Sequence, residues 1–182
     1  MSRMVGQGSS FRRLIPLALL ALAPALRAHD ETRSPWIRGI FTGGSPRPVS
    51  VAASEAWSRA RAMAAESGDA LVLLGTGRSM QPLYPSGTIL VLKQVAYHRL
   101  QRGQTALYRS KADRAVVHVL VAKARDGWRA KGLSNSIHDM EPVVAGNLLG
   151  VVVAAFVPQK PVALADAAIR DSSIAFFSAD ER

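Results

Sequence analysis

The sequence predicts a mostly β domain, a small bent barrel or sandwich preceded by one helix. Three observations carry that expectation. Between residues 70 and 156, six short apolar runs recur with Gly, Pro, Asp or Ser between them. No long helical pattern interleaves with those runs, which argues against a βαβ architecture. Apolar residues make up 48% of the 182-residue chain, enough to fill a core and too many for a disordered one.

The elements follow in chain order. Residues 1–13 carry Arg3, Arg12 and Arg13 and no acid, and Leu14 to Leu26 is apolar throughout. Ala23-Pro24-Ala25 and Ala28 then offer small-residue cleavage positions. This is the order of a secretory signal peptide, expected over residues 1–28. A helix over the 13 residues Leu14 to Leu26 would span about 20 Å, short of the roughly 30 Å of bilayer hydrocarbon. An exported destination, periplasmic or extracellular, is expected; the alternative is a membrane tether through an uncleaved N-terminal segment.

Residues 29–49 are rich in Pro, Gly, Arg and Ser and read as a linker. Ser50 suits the N-cap of an Ala-rich helix from Val51 to Ser67, stopped by Gly68. The domain proper is expected over residues 69–158. Its strands read as Ala70–Leu74, Thr88–Lys93, Gln104–Arg109, Ala115–Lys123, Trp128–Lys131 and Leu148–Phe156. Arg125-Asp126-Gly127 is a turn signal that makes the fourth and fifth a hairpin. Residues 159–182 form an Ala- and Ser-rich tail with a weak helical pattern and no assigned role.

The net charge of +10 comes from 23 Lys and Arg, of which 18 are Arg. Loss of residues 1–28, with four Arg and no acid, would leave +6. That is an ordinary basic surface, so no nucleic-acid partner is expected. The chain has no Cys, which excludes disulfides, thiolate metal sites and Cys nucleophiles.

The chemistry concentrates at Gly75-Thr76-Gly77-Arg78-Ser79-Met80-Gln81-Pro82, directly after an apolar strand. Gly77 permits positive φ and Pro82 ends any ladder. Such a turn can present the Ser79 hydroxyl with a backbone N–H beside it, as an acyl-transfer nucleophile requires. A serine nucleophile needs a base within hydrogen-bond reach. His118 stands mid-strand in Val116-Val117-His118-Val119-Leu120, where period 2 groups it with Val116 and Leu120. Asp139 follows the next strand, in Lys131-Gly132-Leu133-Ser134-Asn135-Ser136-Ile137-His138-Asp139, where a hairpin can return it toward His118. Lys111, Lys123 and Lys131 are the alternative bases for a Ser/Lys dyad. His118, His138 and Asp139 lack the spacing of a zinc site, and no metal is expected.

This order resembles the signal peptidase I family, within the LexA-like superfamily of serine peptidases. Gly77 to Gly87 is similar to its G-x-S-M-x-P-x-x-x-x-G turn. Gly103 to Tyr108 is similar to its Gly-Asp-φ-φ-φ-Tyr strand, Val116 to Leu120 to its base-bearing strand, and Lys131 to Asp139 to its Lys-Gly-Asp-Asn loop. Gly150 to Val153 is similar to its terminal strand; together the likeness covers roughly residues 70–157. The resemblance implies a peptidase domain of the LexA and signal peptidase type. It implies Ser79 as nucleophile, His118 as base, Asp139 as the orienting acid and the Ser79 backbone N–H as part of an oxyanion hole. The boxes depart from the pattern in several places. Gly77 stands where some bacterial members place an oxyanion-hole Ser, leaving Thr76 as the nearest hydroxyl. Arg78 adds a cation beside the nucleophile, Gln104 replaces Asp, Val119 replaces Arg, and Leu133-Ser134 replaces Asp-Asn.

The function so implied is an exported serine endopeptidase cleaving an extended peptide after small residues, without a cofactor. Its partners would be a protein or peptide substrate in the exported compartment and, peripherally, a membrane surface. The alternative is a catalytically inactive module of the same type that binds exported peptides or partner proteins. A DNA-regulating relative would need a helix-turn-helix ahead of the domain, where only one helix is expected.

Overall fold

The computed structural model describes residues 31–68, 70–159 and 176–178. The expected signal peptide, and the weak helical pattern of the tail at 160–175 and 179–182, lie outside the described residues. The elements run β1 (Trp36–Ile37), β2 (Ile40–Phe41), β3 (Val49–Val51), α1 (Ala56–Ser67), β4 (Ala70–Thr76), β5 (Ile89–Lys93), β6 (Thr105–Arg109), β7 (Ala115–Ala124), β8 (Gly127–Lys131), β9 (Leu148–Pro158) and β10 (Phe176–Ser178).

Among the described residues the chain is mostly β with one α-helix, as the patterning predicts, and its main sheet is open. Strand order is β10-β4-β5-β9-β6-β7-β8, with β3 joined to the far end of β9. All pairings in it are antiparallel except β10 with β4 and β3 with β9. The sequence predicts a small bent barrel or sandwich, and the sheet is bent but open. The outer side of β8 is met by Val143, which bridges Trp128, and β8 and β10 remain the two ends of the order. The sheet bends so that β10 also lies against β7.

Each of the six expected strands forms, with small shifts at the ends. The N-terminal region differs more. The expected linker over 29–49 is, in its described part from residue 31, not a plain linker. Arg38 and Gly39, at φ 49° and 77°, make a tight turn between β1 and β2, and Ile37 and Ile40 are buried in the main core. Ser50 is not a helix cap: Val49, Ser50 and Val51 pair in parallel with Phe156, Val157 and Pro158. The helix therefore starts at Ala56, with Glu55 at its N-cap and no side-chain cap bond. Burying Val51 beneath α1 while satisfying its backbone on β9 outweighs an earlier helix start.

Alternation along the strands sorts the core. One face carries Leu73, Leu90, Leu92, Leu107, Val117 and Val119, closed over by Ile37, Ile40, Met80, Leu83 and Leu133. Burying side chains of this size contributes about 1.5–3 kcal/mol each. The opposite face has two halves. On β4, β5 and β9 it is covered by α1, whose small Ala56 and Ala60 let the helix sit close on Ile89, Val91, Ala154 and Phe156. On β6, β7 and β8 it holds Ala106, Tyr108, Leu120, Trp128 and Ala130 beneath Leu100 and Val143.

Candidate active site

The turn after β4 is fixed from both ends. Gly75 donates to the Thr88 carbonyl and accepts from the Gly87 amide, each at 2.8 Å. Gly77 sits at φ 87°, which a side chain would resist. The Gln81 and Tyr84 amides bond back to the Arg78 and Met80 carbonyls. Met80, Leu83 and Tyr84 are buried, so the turn is anchored by packing as well. The Tyr84 hydroxyl donates to the Pro46 carbonyl at 2.8 Å. Burial holds that phenol above its ordinary range, against the opposing influence of neighbouring Thr105, so it stays a donor. Ser79 is thereby held nearly buried, at 8% exposure.

His118 comes from β7. Its cross-strand partner on β6 is Ala106, and Tyr108 lies next along on the same face, opposite Val116. The ring is 5% exposed. Its Nε2 lies 3.0 Å from Ser79 Oγ, and its Nδ1 lies 2.7 Å from Asp139 Oδ2. A carboxylate only accepts, so Nδ1 carries the proton and Nε2 has the lone pair that accepts from Ser79. The structure thus brings the three residues singled out in the sequence into one hydrogen-bonded chain.

Asp139 is delivered by the loop after β8, which is stapled to both sides of the site. The Ser134 amide donates to the Ser79 carbonyl and the Asp139 amide to the Ala130 carbonyl, each at 2.8 Å. Ser134 Oγ also donates to the Gln81 carbonyl, and Arg38 of the β1–β2 turn reaches Ser134 Oγ at 3.4 Å. Leu133, beside it, is buried in the main core. The two positions that depart from the family's Asp-Asn are therefore a core anchor and a staple. Gln104 likewise has a local task, accepting from the Gln101 amide at the entry to β6, and Val119 is fully buried.

Two further residues act here that the sequence reading did not single out. Tyr108 Oη donates to Asp139 Oδ2 at 2.5 Å, the same oxygen that His118 uses. Burial first, then the carboxylates of Asp139 and Glu141, push the Tyr108 phenol well above its ordinary range, so it remains a proton donor to that oxygen. At Gly132, an added Cβ would lie 2.8 Å from Asn135 Nδ2 and 2.9 Å from His118 Nε2. Only glycine lets the loop backbone pass the Nε2 side of the imidazole this closely. Tyr108 looks like core in an apolar strand, and Gly132 looks like turn punctuation. The terminal Tyr and the Lys-Gly pair of the resembling boxes were the available signals.

The remaining candidates lie elsewhere. Lys131 Nζ donates to the Ser136 carbonyl at 3.0 Å, and Lys111 and Lys123 are exposed. His118 holds the place beside Ser79 that a lysine base would need. His138 is exposed and its ring faces the Asp139 carbonyl. Among the described residues no group of three His, Cys, Asp or Glu is placed to hold a metal ion. Thr76 lines the cleft beside Gly77, and Arg78 is exposed on the turn.

A narrow apolar cleft of about 30 Å³ opens beside Ser79, between Gly75 and Gly77 on one side and Ala115 and Val117 on the other. A wider cavity of about 430 Å³ lies on the other side of His118, between Arg114, Ile137 and Glu141. Among the described residues no helix is long and apolar enough to cross a membrane. No protein-family model matches the chain, and no curated protein matches it.

Proposed function

We propose that the chain is a serine endopeptidase of the signal-peptidase type, acting by acyl transfer through Ser79 on an extended peptide segment of an exported protein. The observation that supports this most is the continuous contact Ser79 Oγ, His118 Nε2, His118 Nδ1, Asp139 Oδ2 at 3.0 and 2.7 Å. In this reading Ser79 Oγ attacks the peptide carbonyl as its proton passes to His118 Nε2. Asp139 stabilises the imidazolium, and Tyr108 keeps its shared oxygen hydrogen-bonded throughout. His118 then gives the proton to the departing amine, and water resolves the acyl-enzyme by the reverse sequence. The Ser79 backbone N–H contributes to holding the oxyanion. The narrow cleft beside Ser79 suits a small side chain at the acyl side of the cut.

The alternative is a non-cleaving peptide-binding module. Gly77 favours it, because it brings no hydroxyl to the oxyanion position. Labelling with an alkyl fluorophosphonate separates the two. Stoichiometric labelling that is lost in Ser79→Ala supports the peptidase, and an unlabelled, folded wild type supports the binder.

A further inference from the structure

β4 pairs with β5 along one side only of its length. Gly75 points both its amide and its carbonyl to that side, toward Thr88 and Gly87. Backbone groups alternate along a strand, so those of Leu74 and Thr76 face the outer edge. This edge leads to Ser79, three residues past the end of β4 at Thr76. It also borders the apolar cleft, whose far wall is Ala115 and Val117 of β7. A peptide offered to Ser79 in extended form would pair here by strand addition.

The edge is already taken. Phe176, Phe177 and Ser178 pair in parallel with Leu74, Gly75 and Thr76, and the same strand lies against β7 across the cleft. We infer that β10 is a tethered competitor, which occupies the peptide-pairing edge of β4 and must leave before a substrate strand can enter beside Ser79. The inference rests on the peptidase reading and adds regulation of its cleft. Polarity agrees with it: β10 is parallel to β4, so it runs N to C toward Ser79, the direction that would carry the acyl side of a substrate along β4. Tethering agrees too. Seventeen residues separate Pro158 from Phe176, so β10 belongs to the same molecule as the edge it occupies and a separate peptide must compete with an intramolecular strand. A weak strand held in this way is still displaced by a better one.

The register supplies the test. With Phe177 opposite Gly75, and Gly75 bonded the other way, the Phe177 amide is the one that faces β4. Phe177→Pro in the full-length chain removes that amide from the pairing with β4. Hydrogen exchange at the Thr76 amide, read by NMR, should become about tenfold faster, and a peptidyl phosphonate with an alanine analogue at its reacting end should label Ser79 about tenfold faster. A synthetic peptide of residues 172–182 should slow that labelling again. The small alkyl fluorophosphonate should label both proteins equally. Unchanged Thr76 exchange, or equal peptidyl phosphonate rates, would overturn the inference. If the small probe labels neither protein, the peptidase reading fails instead, and Thr76 exchange alone decides whether β10 holds the edge.

Discussion

On the half of the sheet face covered by α1, the buried residues Val51, Ala56, Ala60, Leu74, Ile89, Val91, Ala154 and Phe156 are all apolar. On the other half of the same face, Tyr108 and His118 are buried, and a loop brings Asp139 down to them. A helix satisfies its own backbone, so α1 needs only small side chains to settle on the sheet. A loop does not, so the segment from Gly132 to Asp139 is tied down bond by bond through Ser134 and Asp139. Burying polar groups without partners costs roughly 1–3 kcal/mol each. Here the same hydrogen bonds that remove that cost also set the order Ser79, His118, Asp139. The two halves differ in how they are covered, and the Ser79–His118–Asp139 cluster lies under the cover that has to be pinned.

The contrast can be broken most forcefully at its reactive end. On the proposed mechanism, Ser79→Ala and His118→Ala should each lower peptide hydrolysis per folded molecule about 10⁴- to 10⁶-fold; activity retained in His118→Ala would move the base elsewhere. Asp139→Asn keeps an oxygen but removes the charge that stabilises the imidazolium, and a loss of about 10⁴ in kcat is expected. Gly132→Ala pushes a methyl toward His118 Nε2 and Asn135. It should reduce kcat by about 10- to 100-fold with a smaller effect on KM; wild-type kcat would show that the loop yields without disturbing the ring.

Tyr108→Phe removes one donor to a carboxylate, worth about 1.5–3 kcal/mol, and should lower kcat/KM by about tenfold. It also has a pH signature. Tyr108 is held neutral in the folded protein, so the stability it lends is complete below its unfolded value near pH 10 and is lost as pH rises further. Wild type should therefore lose stability more steeply above about pH 10 than Tyr108→Phe, as denaturation midpoints across pH 8–11 would show. The smallest effect on activity is expected under α1. Ala60→Leu overpacks a fully buried site and should cost about 1–3 kcal/mol of stability, while activity per folded molecule stays level. A large loss of kcat there would mean the two halves are coupled.

The contact of Ser79, His118 and Asp139 was legible in the sequence where it depends on residue type at short spacing. Ser79 after an apolar strand, His118 among valines and Asp139 beyond the next hairpin are all local patterns, set by apolar runs and turn residues that stand close together in the chain. What could not be read depends on partners distant in the chain. Ile37 and Ile40 sit in a Gly- and Pro-rich stretch, and only burial in the main core makes a hairpin of it. Val51 belongs to an Ala-rich run with a helical look, and its strand exists because Phe156 to Pro158 lie alongside. Tyr108 passes for core until Asp139 arrives beside its hydroxyl. The open sheet was hidden for the same reason, since the bridge from Val143 to Trp128 connects residues whose local sequence gives no sign of it.

The place of β9 has a consequence for when the molecule becomes competent. In the sheet, β4 and β5, which carry the Ser79 turn, meet β6, β7 and β8, which carry His118 and lead to Asp139, through β9 alone. β9 is also the last of these to be synthesised, at Leu148–Pro158. A nascent chain that stops short of it holds two hairpin-built pieces without the strand that joins them into one sheet. Translation must run past Pro158 before the two pieces are joined in one sheet, so assembly of the proposed site waits on the last strand of this series.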